Sequence, residues 1–281
     1  MLKYSTILKN EAITSIAIGG FDGLHRAHQV LLSHLDENGA LVIVDKGFSP
    51  SLTPFKERCK YTNHPCLFLD FAAIKDMEAE AFIAYLRTTF PSLRKIVVGY
   101  DFRFGKERKG DPAFLAKESG LEVVVVEEQK LGDVSIHAGE IRALIQKGAI
   151  EEANKLLGRT YTLWGEVVSG QGIGKKALYP TFNTRVEDFI LPKEGVYITR
   201  TVIGDKEYPA LTFIGKRLST DQAFSIETHV LESLEDEETK ILQIGFLAYL
   251  RQNRKFDSLA SLKEQITSDI AAAKGYFQGT T

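Results

Sequence analysis

A chain of 281 residues, 44% hydrophobic and 26% charged, holds enough apolar material for two ordinary globular domains with real cores. Its formal net charge of -2 leaves no electrostatic footprint for nucleic acid, and its two cysteines, Cys59 and Cys66, are too few for a disulfide framework and lack companion ligands for a zinc site. No run approaches the ~20 apolar residues that span a bilayer, and the opening MLKYSTILKNEA has no apolar signal core, so the expectation is a soluble, cytoplasmic protein with neither membrane nor nucleic-acid partner.

The first strand of consequence is Ile16-Ala17-Ile18, which ends in Gly19-Gly20 and a Phe21-Asp22-Gly23 turn. His25 and His28 then stand three residues apart before a helical pattern from Gln29 to Leu35. Unpaired N-H groups at a helix N-terminus attract anions, glycines admit a phosphate closely, and two histidines at i and i+3 share one helical face. The stretch therefore reads as a phosphate site. Continuously apolar runs at 40–44, 66–69, 95–99 and 122–126 alternate with helical patterns at about 78–87 and 112–119, which predicts an α/β doubly wound, Rossmann-like parallel sheet. Ligand is expected at the carboxyl ends of its strands, where Gly20 and Gly99 both lie. Beyond Gly99, the loop carries an aromatic pair, Phe102 and Phe104, and four basic residues, Arg103, Lys106, Arg108 and Lys109, a composition suited to a planar, phosphorylated ligand.

Two helical segments fill 141–157, with Gly148 and Gly158 as stops. From Thr162 the pattern changes to short alternating strands, at 162–168, 195–203, 208–214, 225–231 and 241–246, and then a closing helix at 261–273. That is the pattern of a small antiparallel β-barrel, with the domain boundary at 158/159. The barrel half opens on Ser169-Gly170-Gln171-Gly172-Ile173-Gly174-Lys175, where spaced glycines and a lysine can wrap a polyphosphate.

Gly20-Phe21-Asp22-Gly23-Leu24-His25-Arg26-Ala27-His28 resembles the Gly-Phe-Asp-Gly-x-His-x-Gly-His signature of the prokaryotic bifunctional riboflavin kinase/FAD synthetase family, a branch of the HxGH nucleotidyltransferases. Gly99-Tyr100-Asp101-Phe102-Arg103-Phe104-Gly105 through Asp111 is similar to the family's second signature, Pro180-Thr181-Phe182-Asn183 to its Pro-Thr-Ala-Asn motif, and Glu227-Thr228-His229 to its Glu-x-His strand. The resemblance implies a nucleotidyltransferase domain over 1–158 and a riboflavin kinase barrel over 159–281, which together convert riboflavin to FMN and FMN to FAD with ATP. In the first domain it implies ATP contacts from Gly20, Phe21, Asp22, His25, His28, Ala138, Gly139 and Arg142, and flavin contacts from Asp101, Phe102, Phe104 and Arg108. His25, His28 and Arg142 would stabilise charge during adenylyl transfer. In the second domain it implies ATP on Gly170, Gly172, Gly174 and Lys175, flavin on Arg251 and Phe256, Mg2+ on Thr181 and Asn183, and Glu227 as general base.

The chain departs from the family pattern at Ala27, between 44 and 65, at His137, Ala138 and Gly139 where hydroxyl residues cap a helix, at Leu178, at Phe182, at Asn253 and over 232–238, which lacks the family's Leu-Tyr-Gly turn. Two other readings stay open on these departures: a single surviving activity, or a flavin- or nucleotide-binding regulator without turnover. The sequence leaves the oligomeric state open.

Overall fold

Strands form here where β-branched and aliphatic residues run without interruption, because both faces of the sheet they build are covered by helices. A computed structural model of the chain describes residues 4–6, 9–47, 50–169, 179–219, 221–234 and 239–279. The chain divides into two compact units, Met1–Glu140 and Ile141–Thr281.

The first unit runs β1 (Tyr4–Thr6), β2 (Ser15–Gly19), α1 (Arg26–Ser33), β3 (Gly39–Asp45), β4 (Cys66–Asp70), α2 (Phe71–Ile74), α3 (Ala79–Thr89), β5 (Lys95–Gly99), α4 (Pro112–Ser119) and β6 (Glu122–Val126). A two-stranded hairpin, β7 (Lys130–Leu131) and β8 (Val134–Ser135), follows. The six-stranded sheet has the order β1-β4-β3-β2-β5-β6, and every pairing in it is parallel. Successive residues of β2 and β3 face opposite sides. Ile16, Ile18 and Val42 pack with Phe82, Leu86 and Leu115 of α3 and α4, while Ala17, Leu41 and Ile43 pack with Leu31 and Leu32 of α1. Cys59 and Cys66 are free and buried on the α1 side. A hydrogen bond between them, aided by burial, pushes the Cys66 thiol up, while the same bond holds Cys59 below its ordinary range.

The chain moves outward from β2 to β3 and β4, then returns to the other side of β2 to lay down β5 and β6. The reversal falls between β2 and β5, which pair at Ser15 with Lys95, Ile16 with Ile96 and Ala17 with Val97. Gly19-Gly20 and Gly99 therefore leave neighbouring strands at the same edge, as the switch-point rule expects.

The second unit takes in most of α5 (Ala138–Lys147), then α6 (Ile150–Leu157), six strands and the terminal helix α7 (Leu259–Gly279). The strands are β9 (Tyr161–Val168), β10 (Phe182–Arg185), β11 (Gly195–Ile203), β12 (Lys206–Lys216), β13 (Phe224–Val230) and β14 (Ile241–Arg251), closed as a barrel in the order β10-β13-β12-β11-β14-β9. Neighbouring strands are antiparallel throughout. Asn154 anchors α6 to the barrel: its Nδ2 donates to the Phe246 carbonyl at 2.8 Å, and its Oδ1 accepts from the Tyr161 amide at 2.7 Å. The interior mixes large rings, Tyr161, Tyr197 and Phe246, with a chain of buried hydroxyls in which Thr199, Thr212 and Thr228 are linked at 2.9 and 3.0 Å. Outside, Val196, Ile198 and Leu211 pack under α7 through Ala273, Ile270 and Phe277.

Candidate active sites

At the edge of β2 three residues in four adopt left-handed backbone: Phe21 (φ 50°), Gly23 (φ 83°) and Leu24 (φ 37°). Two of them carry side chains, a conformation worth of order 1–3 kcal/mol in strain that persists only where the surroundings over-determine it. Here they do, since the Phe21 and Leu24 side chains are both 1% exposed. Asp22 completes the turn. Its carboxylate accepts from the amides of Leu52 at 3.2 Å and Thr53 at 3.0 Å, and Thr53 Oγ1 accepts in turn from the Gly23 amide at 2.8 Å. The Arg58 Nε donates to the Thr53 carbonyl at 3.0 Å. The segment 50–54 is thus bonded directly to the turn at 20–23.

That turn delivers α1 three residues earlier than the apolar pattern suggested. The helix starts at Arg26, not Gln29, because His25 takes an extended conformation (φ -68°, ψ 175°) and serves as its N-cap. His28 is consequently the third helical residue, and its ring stacks on that of His25 with centroids 3.7 Å apart and planes 17° from parallel. The Phe21 ring lies tilted against that of His28, with centroids 5.0 Å apart. Beside them a Cβ built on Gly20 would meet nothing within 4 Å, so the approach to the glycine backbone is open.

On the neighbouring strand, the loop after β5 is pinned at its ends. Phe104 and Gly110 exchange two backbone hydrogen bonds, of 3.0 and 2.9 Å, and the Phe104 ring sits so tightly over Gly110 that any Cβ there would come within 2.6 Å of it. Phe104 is 6% exposed and packs with Phe82 and Phe114, so its ring belongs to the core; Phe102 stacks on it at 5.6 Å and is only partly buried. Asp101, Arg103, Lys106, Arg108 and Lys109 are exposed or half-exposed, with Lys106 and Lys109 loosely paired to Glu78 and Glu107.

At the head of α5 the lost hydroxyl cap has a replacement. His137 Nδ1 accepts from the Glu140 amide at 3.2 Å, the bond an N-cap serine would make, with the ring resting against Gly139, where a Cβ would be 3.1 Å from Nδ1. Ala138 and Gly139 thus begin a capped helix, and Arg142 stands on its second turn.

The barrel site lies on the outer face of β10 and β13. Asn183 stands directly opposite Glu227 in the antiparallel register, so the two side chains share a face. Inward-facing Ile226, Thr228 and Val230 alternate with outward Ser225, Glu227 and His229 along β13. His229 Nδ1 donates to the Pro180 carbonyl at 2.8 Å and tethers the chain two residues before β10, while Tyr179 Oη and Thr267 Oγ1 of α7 are 3.0 Å apart. Glu227 Oε1 accepts from Ser225 Oγ at 2.9 Å and from an Arg217 nitrogen at 3.4 Å. Arg217 also grips Asp221 with Nε at 2.9 Å and a second nitrogen at 2.8 Å. Desolvation works against the ionised Asp221, but the Ala223 amide and the Arg217 guanidinium outweigh it and hold the carboxyl below its ordinary range.

The segment 251–256 meets the same loop. Asn253 Nδ2 donates to the Lys216 carbonyl at 2.7 Å and Ser219 Oγ accepts from the Phe256 amide at 2.9 Å, so Phe256 is brought to the Arg217 turn. Arg251 is anchored to α7: Nε and one terminal nitrogen chelate the buried Asp269 at 2.7–3.0 Å, and the other donates to the Gln252 carbonyl. Gly170, Gly172, Gly174, Lys175 and Leu178 lie outside the described residues. The sequence reading passed over Thr53, Arg217, Asp221 and Asp269, each of which acts by a long-range or cross-loop bond. Only Arg217 and Asp221 had a signal, as opposite charges four residues apart just before the Glu227 strand.

A strand-glycine-helix edge in a doubly wound sheet, followed along the chain by a closed barrel that carries a carboxylate and an amide on one outer face, is the arrangement of a two-part enzyme of phosphate-transfer chemistry. A family model described as FAD synthetase matches residues 49–139, and one described as riboflavin kinase matches residues 157–277. The bifunctional riboflavin kinase/FMN adenylyltransferase of Buchnera aphidicola (subsp. Schizaphis graminum) is 30% identical over 94% of this chain and 94% of its own. Proteins of the same name from Escherichia coli K12 and Listeria monocytogenes are 29% and 28% identical, each over 93% of this chain and 92% of their own. The chain belongs to the bifunctional riboflavin kinase/FMN adenylyltransferase family. The crystal structure of a macrolide-efflux protein from Streptococcus pneumoniae shares its fold, with a TM-score of 0.85 over 95% of both chains at 24% identity. Among the described residues no helix is long and apolar enough to cross a membrane.

Proposed function

We propose that the chain phosphorylates riboflavin with ATP at the barrel face around Glu227 and adenylylates FMN with a second ATP at the strand edge around His25 and His28. The observation that carries this reading is convergence: the stacked imidazoles at the start of α1 in one unit, and Asn183 opposite Glu227 in the other, are each set side by side by the chain itself. In the barrel, Glu227 accepts the proton of the ribityl hydroxyl as its oxygen attacks the γ-phosphorus in line and ADP leaves. Thr181 and Asn183 fit Mg2+, because they offer hard oxygens from one strand face beside a carboxylate and leave room for waters and nucleotide phosphates. When bound, that ion neutralises charge on the transferred phosphoryl group.

In the module over 1–158 an FMN phosphate oxygen attacks the α-phosphorus of ATP, the α-β bridge breaks and pyrophosphate departs. His25, His28 and Arg142 stabilise the developing charge, and Gly20, Phe21, Ala138 and Gly139 offer backbone to the phosphates. Asp22 shapes the turn through Leu52 and Thr53. Phe102 offers its partly buried ring to the isoalloxazine, with Phe104 behind it and Asp101 and Arg108 alongside. We assign the modules to 1–158 and 159–281, following the onset of the barrel strands. Riboflavin kinase contacts from Gly170, Gly172, Gly174, Lys175, Arg251 and Phe256 complete the assignment, and the free cysteine pair suits a cytoplasmic setting.

Chromatographic separation of riboflavin, FMN and FAD after incubation with MgATP tests the reading. FAD accumulating through FMN is expected. His28→Ala should abolish FAD but not FMN formation, and Glu227→Gln should reduce FMN formation to a small residual rate while FAD still forms from added FMN. Loss of FMN formation from riboflavin in His28→Ala, or loss of FAD formation from added FMN in Glu227→Gln, would overturn the two-site assignment.

A further inference from the structure

We infer that Arg217, backed by Asp221, is a positioning residue for phosphoryl transfer in the barrel; this rests on the reading of Glu227 as the base. Both contacts to the Glu227 carboxylate, from Ser225 at 2.9 Å and Arg217 at 3.4 Å, fall on Oε1. Among the described residues nothing bonds to Oε2, so the oxygen left to take a proton is defined by the grip on its twin. Arg217 is itself held. Its fork is chelated by Asp221, its amide donates to the Ala223 carbonyl at 3.0 Å, and its carbonyl accepts from the Gln222 amide at 3.1 Å. The turn is moored at both shoulders by Asn253 on Lys216 and by Ser219 on the Phe256 amide.

An arginine in such a frame has little conformational freedom left to lose when substrate binds, and it fixes the rotamer of a glutamate that otherwise has three free torsions. It is 20% exposed and Glu227 23%, so the pair is neither fully solvated nor buried. Its role is geometric, aimed at the near-attack arrangement.

The test is steady-state riboflavin phosphorylation by the full chain as wild type, Arg217→Met, Arg217→Lys, Glu227→Gln and the Arg217→Met/Glu227→Gln double variant, with unfolding midpoints measured alongside. Arg217→Met should lower kcat by about 10- to 100-fold with both KM values within about twofold, and Arg217→Lys should recover part of the loss. On the Glu227→Gln background the same change should lower kcat no further, since the arginine acts through that carboxylate. Losses that multiply, a change confined to KM, or a wild-type kcat in Arg217→Met would each overturn the inference. Wild-type kcat in Glu227→Gln would instead overturn the base assignment on which it stands.

Discussion

Thr53→Val is the sharpest probe of the first site, because it removes one hydroxyl at nearly constant shape from a residue that is 2% exposed. The hydroxyl accepts from the Gly23 amide at 2.8 Å; its 3.5 Å approach to Asp22 is long for a hydrogen bond and adds little. Valine leaves the Gly23 N-H buried without an acceptor, at about 1–3 kcal/mol. That figure corresponds to local opening roughly 5- to 100-fold more often, at 1.4 kcal/mol per tenfold. Amide exchange followed by mass spectrometry should show the increase in peptides covering 21–25 and 51–54, with the barrel peptides unchanged. FMN adenylylation should fall while riboflavin phosphorylation holds, and Thr53→Ser should restore both exchange and activity. Wild-type exchange and adenylylation in Thr53→Val would refute the claim that the 50–54 segment and the glycine turn are one built unit.

Arg251→Met should destabilise the second unit by about 3–5 kcal/mol in denaturant titration, because it leaves the buried Asp269 charge without its cation and with the Gln265 amide as its remaining side-chain donor among the described residues, and an Arg251→Met/Asp269→Leu pair should lose less than Arg251→Met alone. His137→Ala should cost about 0.5–2 kcal/mol of helix stability and lower FAD formation, whereas His137→Ser should regain the cap; equal behaviour of the two would remove His137 from that role. Tyr197 donates to the Lys193 carbonyl, and burial, with Tyr249 nearby, pushes its phenol above the ordinary range. A folded-state value raised above the unfolded one gives stability that is full below the unfolded pKa of about 10 and is lost as pH climbs past it. Tyr197→Phe should therefore flatten the alkaline fall of the unfolding midpoint; an unchanged slope would exclude Tyr197 as its source.

The sheet and barrel were legible because their strands are written in local patterns. The apolar runs at 95–99 and 122–126 and the barrel strand at 195–203 have the same limits in the structure, and α4 fills 112–119. What escaped was either too short to carry a period, as with β1 and the β7-β8 hairpin, or decided by partners far along the chain. Strand β14 runs to Arg251, five residues past the apolar alternation, since Tyr249 and Arg251 pair with Tyr197 and Val196. The start of α1 was missed because a histidine, not a hydroxyl or acidic residue, holds its cap position. At the sites, chemistry-bearing residues stood out by type, but their restraints did not. Nothing in Ser51-Leu52-Thr53 announces Asp22, and His137 looked like the loss of a cap when its ring nitrogen supplies one.

The threonine chain through the barrel has a bearing on fidelity of pairing. Thr199, Thr212 and Thr228 sit on three neighbouring strands, and Thr228 adjoins Glu227. Sliding β13 by one residue would turn Thr228 outward and the Glu227 carboxylate into the buried interior. Sliding it by two would keep the pleat but separate the hydroxyls and leave them dry and unbonded, at about 1–3 kcal/mol each. An all-aliphatic interior would tolerate that second slip far more easily. The hydroxyls act as a combination lock on strand alignment, and the number they encode is the one that sets Asn183 across from Glu227.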